Sequence, residues 1–292
     1  MLSNLSTYIK NFLNNLYINY TYRQIISKSD KKEFSVNKEL DNNSYINDLY
    51  NNGVIKIENL GIDESQISEY YHFLLDNLNN DSKIRNYSHS TVNKKDSIVE
   101  KILLDKNLNN IIKSYLGENA CLDNVVSLTT NASSLIPTIS EKWHWDNVGR
   151  RLKMFFYLNN NNNISTDYIT TTNRLSHFFY STRGSRVKDS KIKKLKDNIK
   201  FFFPKKDSLI IFDTNGIHKG NFSRQSNTLE ENFRAMIKFE FSSKVKSDMF
   251  YKKSNIIGPR FTFFSHDFDI DNCDLINKEC LSKIDDLYYY DN

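Results

Sequence analysis

"DSLIIFDTNGIHKGNFS", residues 207–223, is the stretch on which the reading of this chain turns. Leu209 to Phe212 form a short run of large apolar and β-branched residues, the signature of a buried strand. Asn215 and Gly216 then supply a turn signal. His218 follows just beyond the strand end, where ligands at the mouth of a barrel tend to sit. Taken alone, a histidine in such a loop reads as a surface residue, so its partners elsewhere decide the matter.

The first partner lies upstream in "WHWDN", residues 143–147. In a strand, successive side chains point to opposite faces, so His144 and Asp146 project one way and Trp143 and Trp145 the other. A second histidine brought in from another strand completes the two-His-one-carboxylate face used by mononuclear non-haem iron, with coordination positions left open. His-x-Asp by itself is a common tripeptide and carries little. The second partner lies downstream in "NFRAMIKFEFSS" (232–243), where Arg234 begins an otherwise apolar, alternating strand. A guanidinium there needs an anion. Either a dicarboxylate cosubstrate supplies it through a bidentate pair, or a structural salt bridge does, for example with Glu240. Arg224, in the polar stretch "SRQSNT", is closer to His218 but solvated, so Arg234 is favoured for the anchor.

Around these positions the chain divides into helices first and strands second. Residues 1–28 carry one apolar stripe (Leu2, Leu5, Ile9, Phe12, Leu13, Leu16), which predicts an amphipathic helix packed on the rest of the fold. A polar connection follows over 27–44, then a turn at Asn52–Gly53 and a short strand with Val54, Ile55 and Ile57. Asp63 is placed to cap a helix with Glu64 in its first turn. Helical spacing continues over 98–116, where Gly117 suits the stop. From about residue 120 the pattern becomes strands: "ACLDNVVSLTTNAS", "RLKMFFYL", "FFFPKKDSLIIFDT" and "NFRAMIKFEFSS". The asparagine tract 159–163 reads as loop filler, and the tail as peripheral. The expected fold class is α+β with a mainly β core, a barrel or sandwich.

Composition narrows the function classes. The 292 residues can bury a sizeable core, and 40 basic against 35 acidic residues is too balanced for a dedicated nucleic-acid binder. Cys121, Cys273 and Cys280 form no CxxC pair and are odd in number, which fits free thiols in a reducing compartment. The first residues lack the continuous apolar run of a signal peptide or membrane span, so a soluble, cytoplasmic protein without a transmembrane segment is expected.

Over residues 48–243 the chain resembles the phytanoyl-CoA dioxygenase-like family of iron(II)/2-oxoglutarate oxygenases. "NNGVIKIENLGIDESQISEYYHFL" is similar to the family's opening strand and helix. "WHWDN…RLKMFFYLNN" is similar to its metal-binding strand and the apolar strand after it. "KKDSLIIFDTNGIHKG…FRAMIKFEF" is similar to its distal-His and arginine strands. The resemblance implies a double-stranded β-helix (a cupin-like jelly roll) at 46–245 with flanking helices, a helical extension at 1–45 and a C-terminal extension at 246–292 packed on the same domain. It implies iron ligation by His144, Asp146 and His218, and binding of the far carboxylate of 2-oxoglutarate by Arg234. Lys153 is a candidate second contact to 2-oxoglutarate, against the reading of a solvent-facing lysine. Iron(II), 2-oxoglutarate and dioxygen would then hydroxylate an unactivated C–H of a small or carrier-linked metabolite, releasing succinate and CO2. Asp146 favours hydroxylation, since halogenating relatives carry a small residue there. The alternatives are a non-catalytic jelly-roll binding module and a cupin-like metalloenzyme that does not use 2-oxoglutarate.

Two departures bear on the substrate side. The spacing from His218 to Arg234 is long, and the family's "PGSH"-like motif is replaced by "RLSHFF" and "STRGSRV", with His177 standing in for the motif's histidine. The basic segment 183–206 lies between the ligand positions and reads either as a solvated face or as an attraction for a phosphorylated, nucleotide-linked or CoA-linked substrate. His72, His89 and His266 lack suitable partners.

Overall fold

A computed structural model describes residues 44–76, 85–88, 97–131, 139–146, 151–173, 186–187, 189–222, 232–243, 273 and 275. The amphipathic stripe of residues 1–28, Arg224, His89, His177, His266 and Cys280 lie outside the described residues.

Four helices precede the main strands. They are α1 (Ser44–Asn52), α2 (Glu64–Asp76), α3 (Ile98–Leu104) and α4 (Lys106–Leu116), with strands β1 (Val54–Glu58) and β2 (Arg85–Ser88) among them. Asp63 opens α2 by accepting from the Ser65 amide at 2.7 Å, as its position in the sequence predicts. The single helix expected over 98–116 is two. Asp105 adopts extended backbone and turns its carboxylate onto the Leu108 amide at 2.8 Å, ending α3 and capping α4 in one residue. Leu108, Ile111, Ile112, Tyr115 and Leu116 then form one buried stripe of α4, and Gly117 closes it with φ 101°.

The remaining strands are β3 (Cys121–Asn131), β4 (Arg151–Tyr157), β5 (Ile164–Ile169), β6 (Ile199–Phe202), β7 (Ser208–Asp213), β8 (His218–Phe222) and β9 (Phe233–Ser242). The stretch read as one strand over 201–214 contributes to two, β6 and β7. They build two antiparallel sheets, in the order β1-β7-β4-β9-β3-β2 and β6-β5-β8. His144 extends the smaller sheet beyond β8 as a single bridged residue, and Arg186 extends it once more beyond His144. The chain therefore alternates between sheets: β3 in the large one, His144 in the small one, β4 back in the large one, β5 and β6 in the small one, then β7, β8 and β9 in turn. That alternation is the jelly roll, mainly β and with helices on one side.

Period-two alternation assigns the two faces of the large sheet. Leu152, Met154 and Phe156 of β4, Leu209 and Ile211 of β7, and the odd-numbered residues from Phe233 to Phe241 of β9 pack with the helices in the main core. Phe155, Tyr157, Ile210, Phe212, Met236, Leu128 and Tyr168 fill the space between the sheets. Strands buried on both faces explain why β4 and β7 read as near-continuous apolar runs. The asparagine tract is not filler. Buried Asn161 donates to the Phe233 carbonyl at 2.8 Å and accepts from the Asn163 and Ile164 amides, both at 2.8 Å, so it closes the turn from β4 into β5. Nor is the tail wholly peripheral, because Cys273 and Leu275 join the main core and the Leu275 carbonyl accepts from the Leu122 amide at 2.8 Å. Cys121 and Cys273 are buried and not joined in a disulfide to one another, their thiols facing the Asn119 and Leu103 carbonyls. Among the described residues no helix is long and apolar enough to cross a membrane.

Candidate metal centre

The turn after β7 does most of the positioning. Tyr115 of α4 donates to Asp213 Oδ2 at 2.6 Å, and the Asn215 amide and side chain both donate to Asp213 Oδ1 at 2.8 Å. The Tyr168 hydroxyl donates to the Asp213 carbonyl at 3.0 Å and sits where a side chain on either Gly53 or Gly216 would collide with it. This locked turn presents two carbonyls to the site. Gly216 O bonds His218 Nδ1 at 2.9 Å, and Thr214 O accepts from the Asp146 amide at 2.8 Å.

His144 and His218 pair directly across the small sheet, with His144 N–H to His218 O at 2.9 Å and His218 N–H to His144 O at 2.7 Å. Their rings therefore project to the same face, with centroids 4.4 Å apart. Asp146, two residues on, brings Oδ1 to 3.8 Å from His144 Nε2. One ligand atom from each of His144, Asp146 and His218 lies within 4.8 Å of the others. His144 does not belong to a full strand, contrary to the expectation for "WHWDN". A single bridged residue suffices to aim it, because His218 fixes it from one side and Arg186 from the other.

The protonation states suit ligation. His144 Nδ1 lies 2.7 Å from the Lys142 carbonyl, as His218 Nδ1 does from Gly216 O, so each ring carries its proton on Nδ1 and leaves Nε2 as a lone pair. Burial holds His144 down to about 3 and His218 down to about 4, so both imidazoles are neutral at pH 7. Burial pushes the Asp146 carboxyl up, but Lys153 and the other nearby cationic groups outweigh it and keep the carboxylate ionised.

Lys153 does not face solvent. It points between the sheets from β4 and donates to Asp146 Oδ2 at 2.5 Å, with Glu240 at 4.0 Å. Glu240 is engaged by Arg151 and by Lys238, the latter at 3.0 Å, so it is not the partner of Arg234. Arg234 is buried at the opposite end of the barrel, donating to Thr130 Oγ1 at 3.3 Å and lying 5.7 Å over the Phe222 ring. Phe222 is four residues along β8 from His218, a strand distance of roughly 13 Å. The interior thus has a ligand end and an arginine end, separated by the apolar walls of Phe155, Tyr157, Tyr168 and Met236.

Trp143 and Trp145 face away from the ligands and pack with Ile169, Val187, Ile192 and Ile217 on the outer side of the small sheet. Sequence reasoning did not find Arg186, Tyr168 or Asp213. Only strand register places them, and β5 carries no sequence signal strong enough to be read as a strand between asparagines and threonines.

No protein-family model matches the sequence, and no curated protein does. Comparison with solved structures finds similar folds at low sequence identity. The non-heme alpha ketoglutarate dependent epimerase SnoN from nogalamycin biosynthesis superposes with a TM-score of 0.50 at 9% identity, covering 72% of this chain and 84% of its own. HygX from Streptomyces hygroscopicus with nickel and 2-oxoglutarate bound gives 0.49 at 11% identity, covering 68% and 86%. EctD from S. alaskensis with bound Fe gives 0.46 at 15% identity, covering 68% and 75%. At such identities the likeness is one of fold, and the fold of this chain is the jelly roll that SnoN shares.

Proposed function

We propose that this chain is an iron(II)- and 2-oxoglutarate-dependent oxygenase that hydroxylates a C–H bond of a small or carrier-linked metabolite. The observation that carries the reading is the donor set: two neutral imidazoles with free Nε2 atoms and one ionised carboxylate, converging from adjacent backbone positions. Nitrogen and oxygen donors in this ratio suit iron(II) and leave part of the coordination sphere open. The fold likeness to SnoN, described as alpha ketoglutarate dependent, supports it.

In this reading His144, His218 and Asp146 hold the metal. With 2-oxoglutarate it supplies the oxidising equivalents from dioxygen, with release of succinate and CO2. Lys153 holds the second oxygen of Asp146 and fixes the carboxylate's orientation. Arg234 takes the far carboxylate of 2-oxoglutarate, which a guanidinium buried against Thr130 and Phe222 can do with little loss of entropy. The apolar walls between the two ends exclude water from the reacting atoms. Lys153 thus serves the metal end rather than acting as a second cosubstrate anchor.

Anaerobic addition of iron(II) and 2-oxoglutarate to the purified protein is the test. The reading expects a weak visible charge-transfer band that His144→Ala and His218→Ala abolish. Arg234→Gln should keep metal binding but raise the 2-oxoglutarate concentration needed for the band. Wild-type protein that binds iron(II) without ever giving the band would overturn the assignment in favour of a metalloprotein that does not use 2-oxoglutarate.

A further inference from the structure

Arg186 is bridged to His144 as His218 is, on the opposite side, and the Val187 amide donates to the Trp143 carbonyl at 2.9 Å. Directly paired residues in antiparallel strands project to the same face. His218, His144 and Arg186 therefore stand in one row across the small sheet, with the guanidinium beside the candidate metal centre. The outward residues confirm the phase, since Val187, Trp145 and Ile217 share the apolar cluster on the other face.

The other cations at this end are committed. Lys153 is held by Asp146, and Arg151 and Lys238 by Glu240. Arg186 makes no hydrogen bond or ion pair among the described residues, and its Nη1 is buried without an acceptor. A buried guanidinium N–H left without an acceptor is costly, and such a group in a native fold calls for a partner, whether an ordered water, an ion or a ligand. The charge of Arg186 reaches both imidazoles and Asp146.

We propose that Arg186 is the specificity contact for an anionic substrate, its guanidinium taking a carboxylate or phosphate group of the primary substrate beside His144. The inference rests on the proposed oxygenase reading and adds the substrate class to it. The half-buried Arg186 stands on the margin of the small sheet, reachable by a substrate arriving from outside, whereas Arg234 is sealed at the far end of the barrel. The segment 183–206 that contains Arg186 holds ten basic residues against two acids, and Lys193, Lys194 and Lys196 are exposed on it. The exposed lysines flank residues that pack on the outer face of the small sheet, so they add positive potential around that sheet rather than line the site itself. A bidentate grip on the anion would then orient the rest of the substrate relative to the ligand row.

Calorimetric titration of inorganic phosphate, and separately of acetate, into cobalt(II)-loaded protein saturated with 2-oxoglutarate tests this at constant ionic strength. Wild-type protein should bind one of the two anions. Arg186→Gln should weaken that binding by about tenfold or more, and Arg186→Lys by less. The affinity for 2-oxoglutarate should change by less than about twofold in both variants, because Arg234 at the far end of the barrel is the proposed cosubstrate anchor. Equal anion binding by wild type and Arg186→Gln, or no binding by either, overturns the proposal. So does a variant that loses 2-oxoglutarate affinity and leaves phosphate and acetate unaffected, which would assign Arg186 to the cosubstrate. The same titration on metal-free protein separates the two readings. Arg186-dependent anion binding there, together with no 2-oxoglutarate binding in the cobalt(II) protein, would sustain the anion site while the oxygenase reading fails.

Discussion

The Tyr168 hydroxyl lies 1.8 Å from the point where a Cβ on Gly216 would stand, and its ring carbon Cζ lies 2.2 Å from it. Tyr168 is fully buried and donates to Asp213 O, so it cannot swing away. Gly216→Ala should therefore destabilise the fold by about 1–3 kcal/mol, and loosen His218 as well, because the Gly216 carbonyl bonds its Nδ1. Chemical denaturation and metal titration of the same variant check both effects. Gly216→Ala combined with Tyr168→Leu should recover part of the stability.

Lys153→Met should weaken metal binding by about 10–100-fold without unfolding the protein, since it removes the group that orients the second oxygen of Asp146. Competition with a chelator of known affinity measures the change. A variant that binds cobalt(II) as tightly as wild type would show that Lys153 does not act through Asp146.

Glu240 sets an acid limit on stability. Burial pushes its carboxyl up, but Arg151, Lys238 and Lys153 outweigh that and hold it at about 2, below the ordinary 4.5. The folded value is depressed, so the stabilisation is complete above about pH 4.5 and is lost as pH falls toward 2. The contribution at neutral pH is about 2–4 kcal/mol. Glu240→Gln should be less stable at pH 7 and should show a flatter decline than wild type in denaturation curves between pH 6 and 2.

Both tryptophans of the chain flank His144 in sequence, so intrinsic fluorescence reports on one site. Cobalt(II) or nickel(II) should quench it, zinc(II) should not, and His144→Ala should remove the quenching. Fluorescence titration distinguishes these outcomes directly.

The sequence pointed to His144, Asp146 and His218 as candidate ligands through the His-x-Asp spacing, the apolar strand before His218 and the turn at Asn215–Gly216, and the fold brings one ligand atom of each within 4.8 Å of the others. The sequence carried Asp63 and Gly117 because capping chemistry is local. Arg186 was legible only as part of a basic run, since its importance comes from pairing with His144, more than forty residues away along the chain. Lys153 read as either a cosubstrate contact or a solvent-facing lysine, because strand phase, not composition, decides that it points inward at Asp146. Asn161 read as filler because side-chain-to-backbone bonds to a strand seventy-two residues away leave no local pattern. The split at Asp105 was hidden inside an unbroken apolar periodicity, which a capping residue interrupts without changing the stripe.

One-residue pairing of His144 has a thermodynamic consequence. Among the described residues the His144–His218 pair is supported by single bonds, from the Asp146 amide to the Thr214 carbonyl and from the Val187 amide to the Trp143 carbonyl, rather than by a long continuous ladder, so the pair should open and close locally while the large sheet stays shut. A metal bound across the two rings would act as a clasp on this edge, and its binding energy would appear as local protection. The amide of His144 should exchange with deuterated solvent quickly in the metal-free protein. With cobalt(II) bound it should slow in proportion to metal concentration over its Kd, while the β4 and β9 amides stay unchanged. Ligand affinity and the closing of the small sheet would then be one equilibrium, and the apo protein would hold its site as a hinge rather than as a rigid cup.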